Sequence, residues 1–203
     1  MNIIFEDSHI VVCEKPYGML SQADSGGKES AVSYLEEHTT SNIYPVHRLD
    51  RTTRGIMVFA KTKDAAAKLS KQINEHLFLK EYTATVHGVP KEMCGKMEDL
   101  LFYDRKAGKS YVVKRERSGV KKAVLYYEVE TTRDYEGETV SVVHIRLETG
   151  RTHQIRVQFA SRGLPLLGDR RYGADDREKE IALCACNLSF KHPFSGEVME
   201  FSI

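Results

Sequence analysis

The apolar positions of this chain gather into short, strand-length runs more often than into helical repeats. Ile3-Ile4-Phe5 and His9-Ile10-Val11-Val12-Cys13-Glu14 flank the turn-forming Glu6-Asp7-Ser8, which predicts a hairpin near the start. Pro16-Tyr17-Gly18 ends its second strand. The polar, glycine-containing stretch 22–28 reads as a loop, and Ala31-Val32-Ser33-Tyr34-Leu35 opens a short helix. Gly55-Ile56-Met57-Val58-Phe59-Ala60 is an apolar run of buried-strand length. It feeds a helix with Thr62 as N-cap, Asp64 against the positive helix end, and Ala65, Leu69, Ile73 and Leu77 at i+4 spacing. Further strands are expected over 82–87, 123–130, 140–148 and 181–188. A second helix is expected from an N-cap at Thr152, with Ile155 and Phe159 on one face and Gly163 at its end.

Strands therefore outnumber helices, and strand–helix–strand units do not alternate strictly. That pattern predicts an α+β fold, a mixed sheet with helices packed on it. At 203 residues the expectation is a single domain over 1–203.

Composition changes this picture little. A hydrophobic fraction of 41% supports a sizeable core, 29% charged residues argue against a disordered chain, and a net charge of only +1 gives no chain-wide argument for a polyanion partner. The first residues reach Glu6 and Asp7 after a very short apolar run, so no secretory signal is read. No stretch approaches the roughly 20 apolar residues of a membrane span. A reduced, cytoplasmic protein is the expectation. Of Cys13, Cys94, Cys184 and Cys186, only the last two are close, and no second Cys/His pair stands at zinc spacing. No metal is expected.

Charge is concentrated locally. Between Tyr103 and Lys122 stand Arg105, Lys106, Lys109, Lys114, Arg115, Arg117, Lys121 and Lys122 against Asp104 and Glu116. Eight basic against two acidic residues give a local +6. Such a run is either a solvated hairpin or loop, or an arm contacting phosphates, with Lys114, Arg115 and Arg117 as candidate contacts. Tyr103 and Tyr111 have the chemistry to stack on bases, although strand aromatics more often serve packing.

Two segments carry candidate chemistry. In Val46-His47-Arg48-Leu49-Asp50-Arg51-Thr52-Thr53-Arg54-Gly55, three arginines flank one carboxylate just before the apolar strand. A lone Asp among arginines is commonly half of a surface ion pair. Loops on rigid scaffolds also favour reactive groups, and adjacent cations keep a carboxylate ionised, as a nucleophile or base requires. In Arg146-Leu147-Glu148-Thr149-Gly150-Arg151-Thr152-His153-Gln154-Ile155-Arg156-Val157 a strand ends, turns at glycine and opens a helix with cationic residues. Such a terminus either caps the helix or holds an anion.

Together these segments resemble the RluA family of pseudouridine synthases. His47-Arg48-Leu49-Asp50-Arg51-x-Thr53-x-Gly55 followed by Ala60-Lys61 is similar to its catalytic motif. Lys80-x-Tyr82-x-Ala84-x-Val86-x-Gly88, Leu147-x-Thr149-Gly150-Arg151-Thr152-His153-Gln154-Ile155-Arg156-Val157 and Gly163-x-Pro165-x-x-Gly168-Asp169-x-x-Tyr172-Gly173 are similar to the motifs that follow. Lys15-Pro16-x-Gly18 fits as well. Arg54 stands where the family commonly has Ser, and Gln158 where it commonly has His, departures that bear on substrate preference. The resemblance spans almost the whole chain and reads it as a form without the N-terminal S4-type RNA-binding domain, of roughly 60 residues, that many relatives carry.

The resemblance implies a largely antiparallel sheet and the isomerisation of uridine in rRNA or tRNA, in which the C1′–N1 bond breaks, the base turns, and C5 is joined to C1′. It implies Asp50 as nucleophile at C1′ or base at the C2′ proton, Arg156 as the partner of that carboxylate, and Tyr82 stacked on the target base. Arg48 would enter the RNA as the base flips out, since chemistry on a paired base requires extrusion. Arg51 and Arg151 join the RNA-binding set. RNA is the implied partner, a monomer the default state, and no cofactor is implied because the reaction is redox-neutral. His47 and His153 are expected to serve structural hydrogen bonding. The alternatives are a catalytically silent RNA-binding protein of the same fold, and a hydrolase, for which paired carboxylates near Asp50 and His-x-x-x-His spacing are both lacking.

Overall fold

The computed structural model describes residues 1–24, 27 and 29–203. Among them are strands β1 (Asn2–Glu6), β2 (Ile10–Lys15), β3 (Tyr44–Pro45), β4 (Arg54–Ala60), β5 (Leu79–His87), β6 (Cys94–Asp104), β7 (Lys109–Val113), β8 (Val120–Tyr135), β9 (Glu138–Leu147), β10 (Leu183–Lys191) and β11 (Val198–Ser202). The helices are α1 (Ala31–Thr39), α2 (Lys63–Asn74) and α3 (Gln154–Ala160). The chain divides into two compact units, one of Met1–Lys80 with Cys184–Ile203, the other of Glu81–Leu183.

In the first unit the predicted hairpin forms, with β1 antiparallel to β2 and Asp7 Oδ1 accepting from the His9 and Ile10 amides across the turn. β2 continues antiparallel onto β4, β4 runs parallel to β10, and β11 pairs antiparallel with β10. α2 begins where expected. Thr62 is extended and its hydroxyl accepts from the Ala65 amide at 3.1 Å. Ala65 and Leu69 enter a core with Ile10, Val12, Ile56, Val58, Leu188 and Phe190. Each large side chain buried there contributes about 1.5–3 kcal/mol.

The predicted helical stripe ran to Leu77, and the structure corrects this. Leu77 lies beyond α2 and is 52% exposed. His76 takes a left-handed turn at φ 57°, and the His76 and Leu77 amides donate back to Ile73 and Gln72, a motif that closes a helix. Phe78 takes the buried place instead, stacked on Phe190 at 5.2 Å. In the stretch 22–28, Ser25, Gly26 and Lys28 lie outside the described residues.

The second unit is an antiparallel sheet in the order β5-β9-β8-β6-β7. β6 was not expected as a strand, because its charged residues hide the alternation, whereas β7 falls in the basic run read as a hairpin, loop or arm. α3 packs Val157 and Ala160 with Leu101, Ala123 and Tyr172. Its start also differs from expectation. His153 rather than Thr152 is the N-cap, at φ 55° and without a side-chain cap bond. The Gln154 side chain ties the preceding loop to the helix start, its Oε1 accepting from the Arg151 amide at 3.0 Å and the Thr149 hydroxyl at 2.8 Å. The mixed, largely antiparallel α+β architecture expected from the sequence is the one observed.

Candidate active site

Asp50 occupies the loop between β3 and β4, and its neighbours are pinned on both sides. Leu49 is 5% exposed; its amide donates to Ser21 Oγ at 3.1 Å, while Ser21 Oγ donates to the Leu49 carbonyl at 2.8 Å. On the other side the Gly18 amide donates to the Arg51 carbonyl, and Arg51 Nε donates to the Gly18 carbonyl, both at 2.8 Å. The Thr53 amide closes the turn onto the Asp50 carbonyl at 3.0 Å. A half-buried carboxylate is thus carried on a loop whose backbone has little room to relax.

Beneath this loop lies Lys15, which is fully buried at the end of β2. Its Nζ donates to the Pro16 and Met19 carbonyls at 2.9 and 2.8 Å and lies 3.5 Å from the Arg51 carbonyl. Burial pulls this ammonium down to about 8, against the opposing pull of the Asp50 carboxylate and then Cys13. Sequence reasoning placed Lys15 in a motif and gave it no role. The available signal was a lysine closing a strand that opens with four apolar residues, directly before proline.

His47 serves the scaffold. The Val58 amide donates to its Nε2 at 3.1 Å, so that nitrogen is the acceptor and the neutral ring carries its proton on Nδ1. Burial, reinforced by Lys80, pushes the imidazole down to about 3. Arg48, beside it, is exposed.

The other candidates belong to the second unit. Tyr82 lies on β5, opposite Ile145 of β9, and is 7% exposed. Arg156 is buried in α3, and Asp169 grips it from below. Asp169 accepts from Arg156 Nε at 2.7 Å and from Nη2 at 2.8 Å, a bidentate pair that fixes the plane of the guanidinium. The Tyr172 ring supports the same group at 5.0 Å. Asp169 and Tyr172 stood in a motif without assigned roles; a buried arginine requires such a carboxylate. Gly168, before Asp169, has φ +79° and its missing Cβ would strike the Glu180 carbonyl, so glycine is required for this approach.

Arg151 is exposed, with Nε donating to the Lys122 carbonyl at 3.0 Å. This ties the motif 149–156 to β8. The basic run is a hairpin of β6 and β7 followed by a turn into β8 that carries Lys114, Arg115 and Arg117, all exposed. Its charges differ in availability. Lys122 pairs with Glu98, and Arg117 lies 4.6 Å over the Phe102 ring. Cys184 and Cys186 lie on β10, and no grouping of three metal-binding side chains occurs among the described residues.

The family model described as RNA pseudouridylate synthase matches residues 9–161. The chain is 36% identical over 222 residues to an uncharacterized RNA pseudouridine synthase of Aquifex aeolicus, covering all of this chain and 69% of that protein. It is 33% identical over 221 residues to ribosomal large subunit pseudouridine synthase D of Zymomonas mobilis, covering 99% of this chain and 68% of the relative. The chain thus spans about two thirds of the length of these relatives. Among solved structures, the human RNA Pseudouridylate Synthase Domain Containing 1 aligns with all of the chain and 82% of its own, with TM-score 0.84 and 23% identity, a likeness of fold. No helix among the described residues is long and apolar enough to cross a membrane.

Proposed function

The chain belongs to the RNA pseudouridylate synthase family, an isomerase class, and on that premise we propose that it converts particular uridines of rRNA or tRNA to pseudouridine with Asp50 as its catalytic carboxylate. The observation that carries this reading is the Asp50 loop. A carboxylate held between Ser21 and Gly18 anchors, with a buried ammonium beneath, is preorganised for covalent or proton-transfer work. Asp50 attacks the ribose C1′ or takes the C2′ proton; both routes break the C1′–N1 bond and rejoin the base through C5.

Arg156 is proposed as the cation that pairs with Asp50 and orients it. Its grip by Asp169 supports that role, because a guanidinium fixed in plane loses little freedom on pairing. Tyr82 is proposed to stack on the flipped base and Arg48 to fill the space the base vacates. Arg51, Arg151, Lys114, Arg115 and Arg117 contact phosphates and position the RNA. The names of relatives that act on the ribosomal large subunit favour rRNA as the first substrate to test. The two units are taken to act as one catalytic domain in the cytoplasm.

The test is incubation of the purified protein with total RNA from a strain lacking its gene, followed by mapping of pseudouridine. New pseudouridine at discrete rRNA or tRNA positions is the expected outcome. RNA binding with no pseudouridine formed would select the silent RNA-binding alternative.

A further inference from the structure

Tyr172 joins the basic hairpin to the helix that carries Arg156. Its hydroxyl accepts from the Ser110 amide of β7 at 2.8 Å and lies 2.9 Å from His153 Nδ1 at the start of α3. A second strut runs beside it, from Ser110 Oγ to the Thr152 carbonyl at 2.6 Å. The face of the Tyr172 ring supports the Arg156 guanidinium at 5.0 Å, and Lys109 Nζ of the hairpin lies 4.9 Å from the ring centre. Tyr172 itself is 9% exposed and Ser110 1%. One side chain therefore touches the proposed phosphate arm, the helix start and the proposed catalytic arginine.

The backbone at this junction is unusual. His153 has φ 55°, a conformation that non-glycine residues seldom adopt and that persists only when surrounding contacts impose it. Among those contacts are the Tyr172 hydroxyl at Nδ1 and the ring of Tyr103, near the hairpin turn, 6.2 Å away between ring centres and nearly perpendicular. A hairpin needed only for stability could pack on α3 through its apolar residues. Here Leu101 of β6 does pack against Val157, and polar, directional bonds fix the register in addition; such bonds define position more strictly than apolar contact does.

We infer that Tyr172 is a positioning residue, which registers RNA held by the 104–122 hairpin against Arg156. The inference rests on the functional reading above. The hydroxyl and the ring then have separable effects. Losing the hydroxyl loosens the hairpin, so RNA is held less well in ground and transition states alike, which raises KM more than it lowers kcat. Losing the ring also removes the support that the guanidinium has beside the Asp169 grip, so it is held less strictly and kcat falls.

The experiment compares Tyr172→Phe, Tyr172→Leu and Ser110→Ala with the wild type, using a C5-tritiated transcript of large-subunit rRNA for turnover and filter binding of the same transcript for Kd. Tyr172→Phe should raise KM and Kd about tenfold with kcat lowered less than about threefold, and Ser110→Ala should move KM the same way. Tyr172→Leu should lower kcat at least about tenfold in addition. A residue that merely stabilises the fold would lower the melting temperature of Tyr172→Phe while leaving KM and Kd of the folded protein within twofold of wild type; that result overturns the inference, as does an equal loss of kcat in Phe and Leu variants. Asp50→Asn is assayed alongside. If it stays active, the catalytic reading fails, whereas Kd still tests the hairpin link; if Tyr172→Phe misfolds, Ser110→Ala decides.

Discussion

Asp169 accepts hydrogen bonds from Arg156 Nε and Nη2 at 2.7 and 2.8 Å, and the two side chains are 0% and 4% exposed. Both charges are out of water, so removing the Asp169 carboxylate takes two charge-assisted hydrogen bonds from a buried guanidinium. Asp169→Asn should therefore cost about 3–5 kcal/mol of stability, the scale of breaking a buried ion pair from one side. Urea denaturation measures it. A loss under about 1 kcal/mol would show that water reaches the guanidinium and that the pair is not a fixed support.

Gly55→Ala should also be damaging. Gly55 opens the apolar part of β4 at φ +128°, and an added Cβ would overlap the backbone of Ala185 on the parallel strand β10. Backbone strain and overpacking each cost about 1–3 kcal/mol, and here they act together. The expected result is a protein destabilised by at least about 2 kcal/mol or found insoluble; wild-type stability by urea titration would contradict the close approach of the strands.

Acid sensitivity should trace partly to His47. Its folded value lies near 3 while the unfolded chain titrates at 6.5, so the unfolded state binds more protons between those values. Its contribution is fully present above pH 6.5 and is lost as pH falls toward 3. The slope is about 1.4 kcal/mol per pH unit, so stability should drop about 2–3 kcal/mol between pH 6.5 and 4.5 from this residue. His47→Gln, which keeps an acceptor for the Val58 amide, should flatten that part of the profile. An unchanged profile would show that the acid loss arises elsewhere.

Neutralising Lys114, Arg115 and Arg117 together tests the hairpin as a phosphate arm. Each lost contact to single-stranded RNA should change the log–log salt slope of binding by about 0.7, so three contacts remove roughly two units. Turnover on saturating RNA should change little, since phosphate contacts position and the base is handled elsewhere. An unaltered slope would assign these residues to a solvated face. Arg117, already engaged with Phe102, is the contact whose separate substitution should matter least.

Much of this was legible in the sequence because local rules decided it. The first hairpin, β4 and the Thr62 cap follow from alternation, an apolar run and a side-chain oxygen, all within a few residues. What was missed depends on partners distant in sequence. β6 carries Lys96, Glu98, Asp99 and Asp104, so its alternation fades, and β7 is a short five-residue strand; pairing of β6 with β8 and of β7 with β6 makes them strands. Thr152 reads as an N-cap, yet Gln154 and Tyr172 shift the start of α3 to His153. Lys15 and Asp169 sat in motifs as unassigned letters. Their burial beneath Asp50's loop and against Arg156 is a tertiary fact, and periodicity carries no trace of it.

The central claim, that Asp50 performs the chemistry, is tested most directly by tritium release from C5-labelled uridine RNA with Asp50→Asn. The amide keeps the size of the carboxylate and cannot attack C1′ or accept the C2′ proton. The variant should fold, bind RNA with wild-type affinity within a few-fold, and lose at least about 10³ in rate, the scale of removing a nucleophile or general base. Release within tenfold of the wild-type rate would remove Asp50 from the mechanism.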